Sequence, residues 1–314
     1  MTRQGLPPIN PIFGEFGAAG RLTYYYLWHF SAAQLALPLG ESGWEADIGL
    51  TWFTALASLT LMMGVAVWLA KRSAAAIFVI LFAAAASVRA VLAWIFGSRE
   101  LSPFLSGPAG FAGWLFQAAW APQHLMSASC VVMAMLLIAR YAHRPSLAPL
   151  LSLVLTVVAG FESSTYVGGV TFALAAFVAA PVLLAATDRA RRLRLTVALA
   201  AAAGLAICIA APLILDQFAA VAARGDSSPV IIHHVEVLGE MFPPSLRRVL
   251  DVPAYWLIEL PIEFPASYVA GCYCAFRAAA HFRAGDGTSR DSGLSLPRRR
   301  RLVRVVASGV DAWR

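Results

Sequence analysis

The sequence predicts an all-α fold, a polytopic transmembrane helical bundle of about seven spans with an interfacial helix near the N-terminus. The first observation is composition, since 60% of the 314 residues are hydrophobic and 13% are charged, whereas a soluble domain carries roughly 25% charged residues. The second is a series of apolar stretches near the length of about 20 residues that crosses a bilayer. The third is that basic clusters occupy every second gap between those stretches.

Two of the apolar stretches are joined almost without a loop. The fourth is short and meets the fifth at residues 160–164, GFESS, which predicts the tip of a tight helical hairpin. Runs of alanine inside the stretches favour close helix contacts in lipid, where packing drives association. The seven stretches are residues 48–70, 73–96, 120–138, 147–160, 165–186, 195–215 and 252–276.

A Tyr-rich segment, residues 22–39, precedes the first stretch and contains Tyr24, Tyr25, Tyr26 and Trp28. Aromatic rings with polar edges settle at the level of the lipid headgroups. We therefore predict an interfacial helix here. The alternative that this segment also crosses the membrane stays open.

The basic clusters predict the orientation of the chain, because Lys and Arg in short loops are retained on the cytoplasmic side. Residues 1–47, 97–119, 161–164 and 216–251 are then predicted to lie outside. An outer N-terminus before an odd number of spans needs an upstream span to direct it, so we expect that one has been lost. The clusters are Lys71 with Arg72, Arg140 with Arg144, residues 189–194 and residues 298–301.

Three regions follow from this topology. Residues 1–47 form an outer-face segment with the interfacial helix, residues 48–276 form the transmembrane helical domain, and residues 277–314 form a basic, low-order cytoplasmic tail. The net charge of +7 is explained by topology and by attraction to anionic lipid of the inner leaflet. We expect membrane lipid as a partner and no nucleic acid.

Ionisable residues inside the stretches are the first candidates for function. Arg89 lies in the second stretch, where an intramembrane charge is a functional hypothesis by default, and its planar guanidinium suits phosphate or carboxylate. Snorkelling to headgroups is the alternative. Glu259 and Glu263 share one helix face at spacing i, i+4 and are placed to form a structural ion pair with Arg89.

Polar residues at the predicted outer ends of spans are the second group. Gln123 and His124 follow Pro122, a favoured first residue of a helix, and they suit a ligand oxygen, a metal or an interfacial cap. Glu162 is the only acid between residues 147 and 186. A carboxylate so placed needs water or a partner, and a charged hairpin tip is the structural alternative.

The predicted outer loops hold the remaining candidates. Glu45 and Asp47 directly precede the first span, and Glu15 lies further upstream. Acids so placed can face a substrate held in the membrane, although ordinary flanking charge explains them as well. The sequence has no P-loop, GxSxG or GxGxxG motif and no CxxC pair, so nucleotide hydrolysis, serine-hydrolase chemistry and zinc-ribbon sites have no support.

The loop 216–251 contains a weak metal motif. His233, His234 and Glu236 form HHxE, but consecutive residues on a helix point about 100° apart, unlike the pair in HExxH. A solvated amphipathic helix lying on the membrane is the alternative, with Arg247 and Arg248 near lipid phosphates.

Five segments together resemble the GT-C class of polytopic membrane glycosyltransferases and related bacterial multi-pass proteins. The likeness covers most of residues 8–280. The resemblance implies a polyprenyl-phosphate-linked sugar as donor, an active site at the outer face of the bacterial inner membrane, and often a divalent metal ion. The segments are LTYYYLWHF, GWEADIGLTWF, WAPQH, GFESS and PAYWLIELPIEFP.

The resemblance also implies roles for particular residues. It places the catalytic acid of the first outer loop among Glu15, Glu45 and Asp47. Members of the class begin with a span that leads into this loop, so the resemblance implies that this chain is truncated at its N-terminus. The loop has no Asp-x-Asp or Asp-Glu pair.

A sugar transfer would use the candidates in three ways. A carboxylate, among which Glu162 is also a candidate, would take the proton of the acceptor hydroxyl. Arg89, or the pair Arg247 and Arg248, would stabilise the departing lipid phosphate. Gln123 and His124 would orient the sugar or hold a metal.

Two other functions remain compatible with the sequence. A transporter or channel would use Arg89, Glu259 and Glu263 as a midplane site, but the inner halves of most stretches carry almost no polar groups. A non-catalytic membrane scaffold would use the same residues as caps and lipid anchors.

Overall fold

The computed structural model describes residues 26–85, 87–105, 113–223 and 236–273, and all regular secondary structure in these ranges is helical. Two segments within these ranges are π-helical and are labelled π1 and π2. The elements are α1 (Tyr26–Leu39), α2 (Gly43–Ala70), α3 (Ala75–Ala84), α4 (Arg89–Phe96), α5 (Ser98–Leu101), α6 (Trp114–Trp120), α7 (Pro122–His143), α8 (Leu147–Ser163), π1 (Thr165–Thr171), α9 (Phe172–Ala186), α10 (Arg189–Ala223), α11 (Pro244–Ala254), π2 (Tyr255–Glu259), α12 (Leu260–Glu263) and α13 (265–273).

Four helical segments of the described residues are long and apolar enough to cross a membrane, so the fold is that of a multi-pass, all-helical membrane protein. They are Gly43–Ala70, Pro122–His143, Thr165–Ala185 and Arg189–Ala222. A fifth span is counted if α3 and α4, which meet at 52°, are taken together. Helix α8 is apolar but has 17 residues. The predicted count of seven is therefore not reproduced by continuous helices.

The second predicted stretch, 73–96, is interrupted between α3 and α4. Ala85 is extended (φ −65°, ψ 127°), and the backbone N–H of Val88 donates to the carbonyl of Ile262, 2.9 Å away. The Ser87 hydroxyl accepts from the backbone N–H of Arg89 at 3.1 Å. A long-range hydrogen bond thus replaces helical ones, and Arg89 lies on the first turn of α4.

The last predicted stretch, 252–276, is also broken. Its segment PAYWLIELPIEFP contains Pro253, Pro261 and Pro265, and proline removes a helical hydrogen bond. Phe264 leaves the helical conformation (φ −128°, ψ 57°), because the residue before a proline is pushed away from it. The stretch becomes the end of α11, then π2, α12 and α13.

The basic gap at residues 189–194 is helical rather than a loop. Helix α10 begins at Arg189, six residues before the predicted start, since arginine is a good helix former. Helix α2 likewise begins at Gly43, so Glu45 and Asp47 lie within its first turns.

The described chain divides into two compact units. Unit 1 is Met1–Leu61 with Ala118–Ile231, and unit 2 is Met62–Gln117 with Ile232–Arg314. The predicted tail 277–314, and residues 1–25 of the predicted outer segment, lie outside the described residues.

The core of unit 1 is built from small and medium apolar residues. Val154 and Val158 of α8 pack against Ala202 and Ala206 of α10, as expected where alanine permits close helix contact. A second cluster joins Trp28, Ala32 and Leu50, with Met126 against it. The Trp28 side chain is 2% exposed, so it is packed inside unit 1 rather than held free in a headgroup layer.

Unit 2 has a core where the segment before α11 packs against the end of that helix. Val237, Leu238 and Ala254 are buried together. The Asp251 carboxylate, fully buried, accepts from the backbone N–H groups of Val237 at 3.2 Å and Leu238 at 2.9 Å. These charge-assisted bonds fix the non-helical segment before α11.

Candidate functional site

Unit 1 brings the WAPQH segment to the GFESS hairpin. Pro122 is the first residue of α7, which places His124 on its first turn. The Nδ1 atom of His124 is hydrogen-bonded to the Ser164 hydroxyl at 2.9 Å. Two segments that stand apart in the sequence are therefore in direct contact.

Glycine allows the backbones to meet at this point. A Cβ on Gly168 would lie 2.1 Å from the Gly160 carbonyl oxygen, which no real side chain permits. The hydroxyl of Ser127, fully buried, donates to the same carbonyl at 2.7 Å. Helix α7, the end of α8 and π1 are thus held together by backbone contact and one buried hydroxyl.

The hairpin contains further buried hydroxyls. Ser163 is fully buried, and its hydroxyl has no hydrogen-bond partner among the described residues. Thr165 accepts a hydrogen bond from the Gln217 side-chain amide at 2.8 Å. We use the name hairpin-tip cluster for the six polar side chains at this end of unit 1, His124, Ser127, Ser163, Ser164, Thr165 and Gln217.

Glu162 adjoins the cluster in sequence. It lies on the last turn of α8, beyond the predicted span 147–160, and it is half-buried. Burial raises the pKa of the Glu162 carboxyl above its ordinary value, because a charged carboxylate is poorly solvated there. A carboxyl group so tuned can exchange a proton nearer to neutral pH.

An apolar cavity of about 440 Å³ lies in the same unit. Phe161 and Gly169 line it beside the hairpin, and Leu183 lines it near the far end of α9. On α10 its walls run from Leu199 to Ile214, which corresponds to about 20 Å of helix. The cavity is therefore long and apolar, with the hairpin-tip cluster near one end.

The acids at the start of α2 have different roles. The Trp28 indole donates to Asp47 Oδ1 at 3.2 Å, and Trp28 also packs with Met126 of α7. Glu45 accepts from the Ser42 backbone N–H at 2.9 Å, and Ser42 in turn accepts from the Glu45 N–H at 3.3 Å. This reciprocal pair is a capping box.

Arg89 of unit 2 forms the ion pairs predicted from the sequence. Its Nη2 lies 2.6 Å from Glu259 Oε2, and its Nε lies 3.0 Å from Glu263 Oε1. The side chains of Glu259 and Glu263 are 1% and 3% exposed, and that of Arg89 is 19% exposed. Segment π2 and helix α12 supply both carboxylates.

Among the remaining predicted residues, Gln123 belongs to unit 1, and Glu236, Arg247 and Arg248 belong to unit 2. Gln123 is half-buried beside His124, Arg247 is half-buried on α11, and Arg248 is exposed. Glu236 is exposed. Glu15, His233 and His234 lie outside the described residues.

A divalent metal, implied by the resemblance, is not matched by the donor groups of the described chain. Within these residues no three His, Cys, Asp or Glu side chains converge. We therefore derive no step through a metal ion.

The hydroxyl groups of the hairpin-tip cluster were not predicted from the sequence. Ser127 lies three residues after His124, on the same helix face, and this spacing was the signal that could have found it. Nothing in the local sequence indicates that Gln217 of α10 reaches Thr165.

Comparison with known proteins identifies an uncharacterised bacterial relative. The chain is 28% identical over 279 residues to the uncharacterised protein y4nK of Sinorhizobium fredii. The alignment covers 86% of this chain and 40% of the relative, so the chain spans about two fifths of the length of that curated relative. No protein-family profile matches the chain, and no solved structure matches it. The likeness and the apolar helices together fit a multi-pass membrane protein.

Proposed function

We propose that this chain transfers a sugar from a polyprenyl-phosphate donor to an acceptor hydroxyl at the outer face of the bacterial inner membrane. The observation that carries the proposal is the position of the hairpin-tip cluster near one end of the apolar cavity of unit 1. A ligand that fits this arrangement has a polar head and a long apolar chain. A lipid-linked sugar is such a ligand.

The cavity would hold part of the prenyl chain. Apolar helices gain little hydrophobic free energy from a lipid chain that already lies in a bilayer, because lipid tails are equally apolar. The cavity would therefore select its ligand by the shape of the lipid chain. A cavity about 20 Å long along α9 and α10 favours a single extended chain over a two-chain phospholipid.

Glu162 would act as the general base. The acceptor oxygen attacks the anomeric carbon, the bond from that carbon to the phosphate oxygen breaks, and the acceptor proton passes to the Glu162 carboxylate. Such a base contributes about 10²- to 10⁴-fold to the rate. Asp47 is the second candidate, although its carboxylate already accepts from Trp28.

His124 and Gln123 would orient the sugar at the start of α7. The bond to Ser164 fixes the His124 ring, and the buried hydroxyl of Ser163 offers a donor that is unused among the described residues. Arg89 is engaged with two carboxylates, so we assign it no contact with the departing phosphate. The predicted phosphate contact of Arg247 and Arg248 stays a prediction.

The proposal is tested with the purified chain in nanodiscs. Polyprenyl-phosphate-linked mannose, glucose and arabinose are supplied with cell-envelope acceptors, and released polyprenyl phosphate is measured by mass spectrometry. We expect release with one donor and a loss of about 10²-fold in Glu162→Gln. The matched control is Glu240→Gln, an exposed carboxylate that should keep the wild-type rate. Equal rates in Glu162→Gln and wild type, or no release from any donor, would contradict the proposal.

A transporter is the second candidate, favoured by the buried cluster of Arg89, Glu259 and Glu263. Solute flux across proteoliposomes that Glu259→Gln abolishes, without any sugar transfer, would replace the transferase proposal. A scaffold is indicated if His124→Ala and Glu162→Ala leave every lipid-linked glycan of the cell unchanged.

A further inference from the structure

Helix α11 of unit 2 has an exposed apolar face. Consecutive residues of an α-helix point about 100° apart, so Leu246, Val249, Leu250 and Val252 fall within an arc of about 160° around the helix axis. All four side chains are exposed, and that of Val249 is 70% exposed. The described part of the chain leaves this face of α11 uncovered.

The opposite face of α11 is fixed to unit 2. Asp251 and Ala254 point to that side, and both are buried. The Asp251 carboxylate accepts from the backbone N–H groups of Val237 and Leu238, and Ala254 packs in the same core. Because these contacts hold one side of the helix, the apolar face stays turned away from unit 2.

Two arginines border the apolar face. Around the helix axis, Arg248 lies about 40° beyond Val252, and Arg247 lies about 60° beyond Leu250. Arg248 is exposed and Arg247 is half-buried, whereas Asp251, the acid of α11, is fully buried. The surface of α11 therefore combines exposed apolar side chains with positive charge along both edges.

Arg247 also needs a hydrogen-bond acceptor. Its Nε atom is buried and has no hydrogen-bond partner among the described residues. A buried donor that stays unpaired is destabilising, and a guanidinium suits phosphate, which it can bind through two parallel hydrogen bonds. The side chain is long and half-buried, so its guanidinium can turn to an acceptor outside the chain, as snorkelling arginines do.

We propose that α11 lies in the headgroup layer of the membrane and binds anionic phospholipid, with its apolar face against the acyl chains and Arg247 and Arg248 at the lipid phosphates. A helix with three charged residues among its 11 is too polar for the hydrocarbon layer. An interfacial helix buries its apolar face at the boundary between headgroups and acyl chains. Each basic residue near an anionic surface strengthens binding about fivefold.

The test places a fluorescent probe on the apolar face. Val249→Cys is labelled with bimane in a full-length chain whose native cysteines are replaced by alanine. The protein is reconstituted in nanodiscs of equal parts phosphatidylglycerol and phosphatidylcholine, and one lipid at a time carries bromine near the carbonyl end of its acyl chains, where it quenches a neighbouring probe. We expect phosphatidylglycerol to be preferred at the probe about tenfold or more, because two arginines attract its charge.

Two variants and a second probe position are the controls. Arg248→Gln should lower the preference for phosphatidylglycerol about fivefold, since one positive charge is removed. Arg191→Gln removes an exposed arginine of α10 and should leave the preference unchanged. A probe at Val178→Cys of α9, where the native side chain is 71% exposed, should be quenched equally by both lipids.

Salt tests the same attraction without changing the arginines. Raising the salt concentration to about 1 M shortens the screening length to about 3 Å. We expect the preference for phosphatidylglycerol at position 249 to fall, so the test does not depend on the folding of an arginine variant.

Four outcomes overturn the proposal. They are equal quenching by the two lipids at position 249, quenching by neither lipid there, an equal preference for phosphatidylglycerol at position 178, and a preference that neither Arg248→Gln nor high salt lowers. Quenching by neither lipid is the result expected if the face docks another protein. The nanodiscs contain no sugar donor, so the result is independent of sugar transfer.

Discussion

Arg89 shows how one side chain unites the two candidate acids of unit 2. The sequence predicts this pairing, because a carboxylate pair at spacing i, i+4 shares a helix face. The structure forms both ion pairs, at 2.6 and 3.0 Å. Segment π2 carries Glu259 and helix α12 carries Glu263, so one regular helix does not supply both carboxylates. Retaining these charges in an apolar unit needs mutual compensation.

Removal of Arg89 alone should therefore be strongly destabilising. We expect Arg89→Ala to lower the free energy of unfolding by about 3–5 kcal/mol, because two buried carboxylates are left without their guanidinium. Thermal unfolding followed by circular dichroism in detergent measures the loss. The control is Arg99→Ala, an exposed arginine of α5, which should change little. The triple replacement of Arg89, Glu259 and Glu263 by Met should recover most of the loss, and a triple variant less stable than Arg89→Ala would contradict this account.

Glu162 should impose a pH dependence on sugar transfer. Burial raises the pKa of its carboxyl, so the carboxylate that accepts a proton forms at a higher pH than for an exposed glutamate. We expect the rate of sugar transfer to fall as the pH drops through this raised pKa. The Glu162→Gln chain should not show this fall. The folding stability depends on pH in the opposite sense. The stabilisation that the Glu162 carboxyl contributes is complete below its pKa in the unfolded chain and is lost as the pH rises through its pKa in the folded chain. A rate that rises on acidification would contradict the assignment.

At the scale of elements, the contact between α8 and π1 decides whether the hairpin-tip cluster exists. Segment π1 begins where Ser164 is extended (φ −158°) and its hydroxyl accepts from the Val167 N–H. π-Helical turns are frequent at functional sites. Here the π-helical segment contains Gly168, the residue that touches Gly160 of α8.

We expect Gly168→Ala to be destabilising by about 1–3 kcal/mol, because its Cβ would lie 2.1 Å from the Gly160 carbonyl oxygen and the backbones must separate. Gly204→Ala is the matched control. Gly204 lies inside α10, and a Cβ added there would meet no atom within 4 Å, so alanine should stabilise the helix by about 0.5–1 kcal/mol. Thermal unfolding measures both. A Gly168→Ala chain as stable as Gly204→Ala would exclude backbone contact at this point.

Hydropathy predicted the regular helices and failed at the breaks. The stretches 48–70 and 120–138 correspond to α2 and α7, whose ends differ by up to five residues. The break between α3 and α4 depends on the bond from Val88 to the Ile262 carbonyl, a contact between residues far apart in sequence. Hydropathy averaged over a window of the sequence contains no information about such long-range contacts. The sequence of 252–276 contains the prolines that break the helix, but the apolar character of the stretch favoured the prediction of one continuous span.

The candidate site was predicted in part for a related reason. Single polar residues in apolar surroundings, such as His124 and Glu162, stand out in a sequence. Their partners do not, because serines are common in apolar helices, and Ser163 and Ser164 have no distinctive spacing. The cavity of unit 1 depends on the packing of several helices, which no local pattern specifies.

At the scale of the whole molecule, orientation is the prediction on which the outer-face reaction depends. The positive-inside rule places the loop 216–251 outside and the short gap containing Arg144 inside. Both positions can be labelled, because Glu240 and Arg144 are exposed. A topology experiment therefore tests the location of the proposed reaction without any assay of activity.

We expect Glu240→Cys to react with a membrane-impermeant maleimide in intact cells and Arg144→Cys to react only in inverted vesicles. Both changes are made in a chain whose native cysteines, Cys130, Cys208, Cys272 and Cys274, are replaced by alanine. The cysteine-free chain is the control for background labelling. The reverse pattern would invert the orientation and remove the hairpin from the outer face.

Helix α8 has a further consequence for the surrounding membrane. Its 17 residues span about 25 Å, less than the roughly 30 Å of a bilayer's hydrocarbon layer. In the predicted topology residues 147–160 of α8 cross the membrane, and lipid beside so short a crossing helix is drawn inward to relieve the hydrophobic mismatch. This local thinning of the bilayer would let headgroups and water reach the polar hairpin. It would also concentrate the protein in the thinner regions of its membrane.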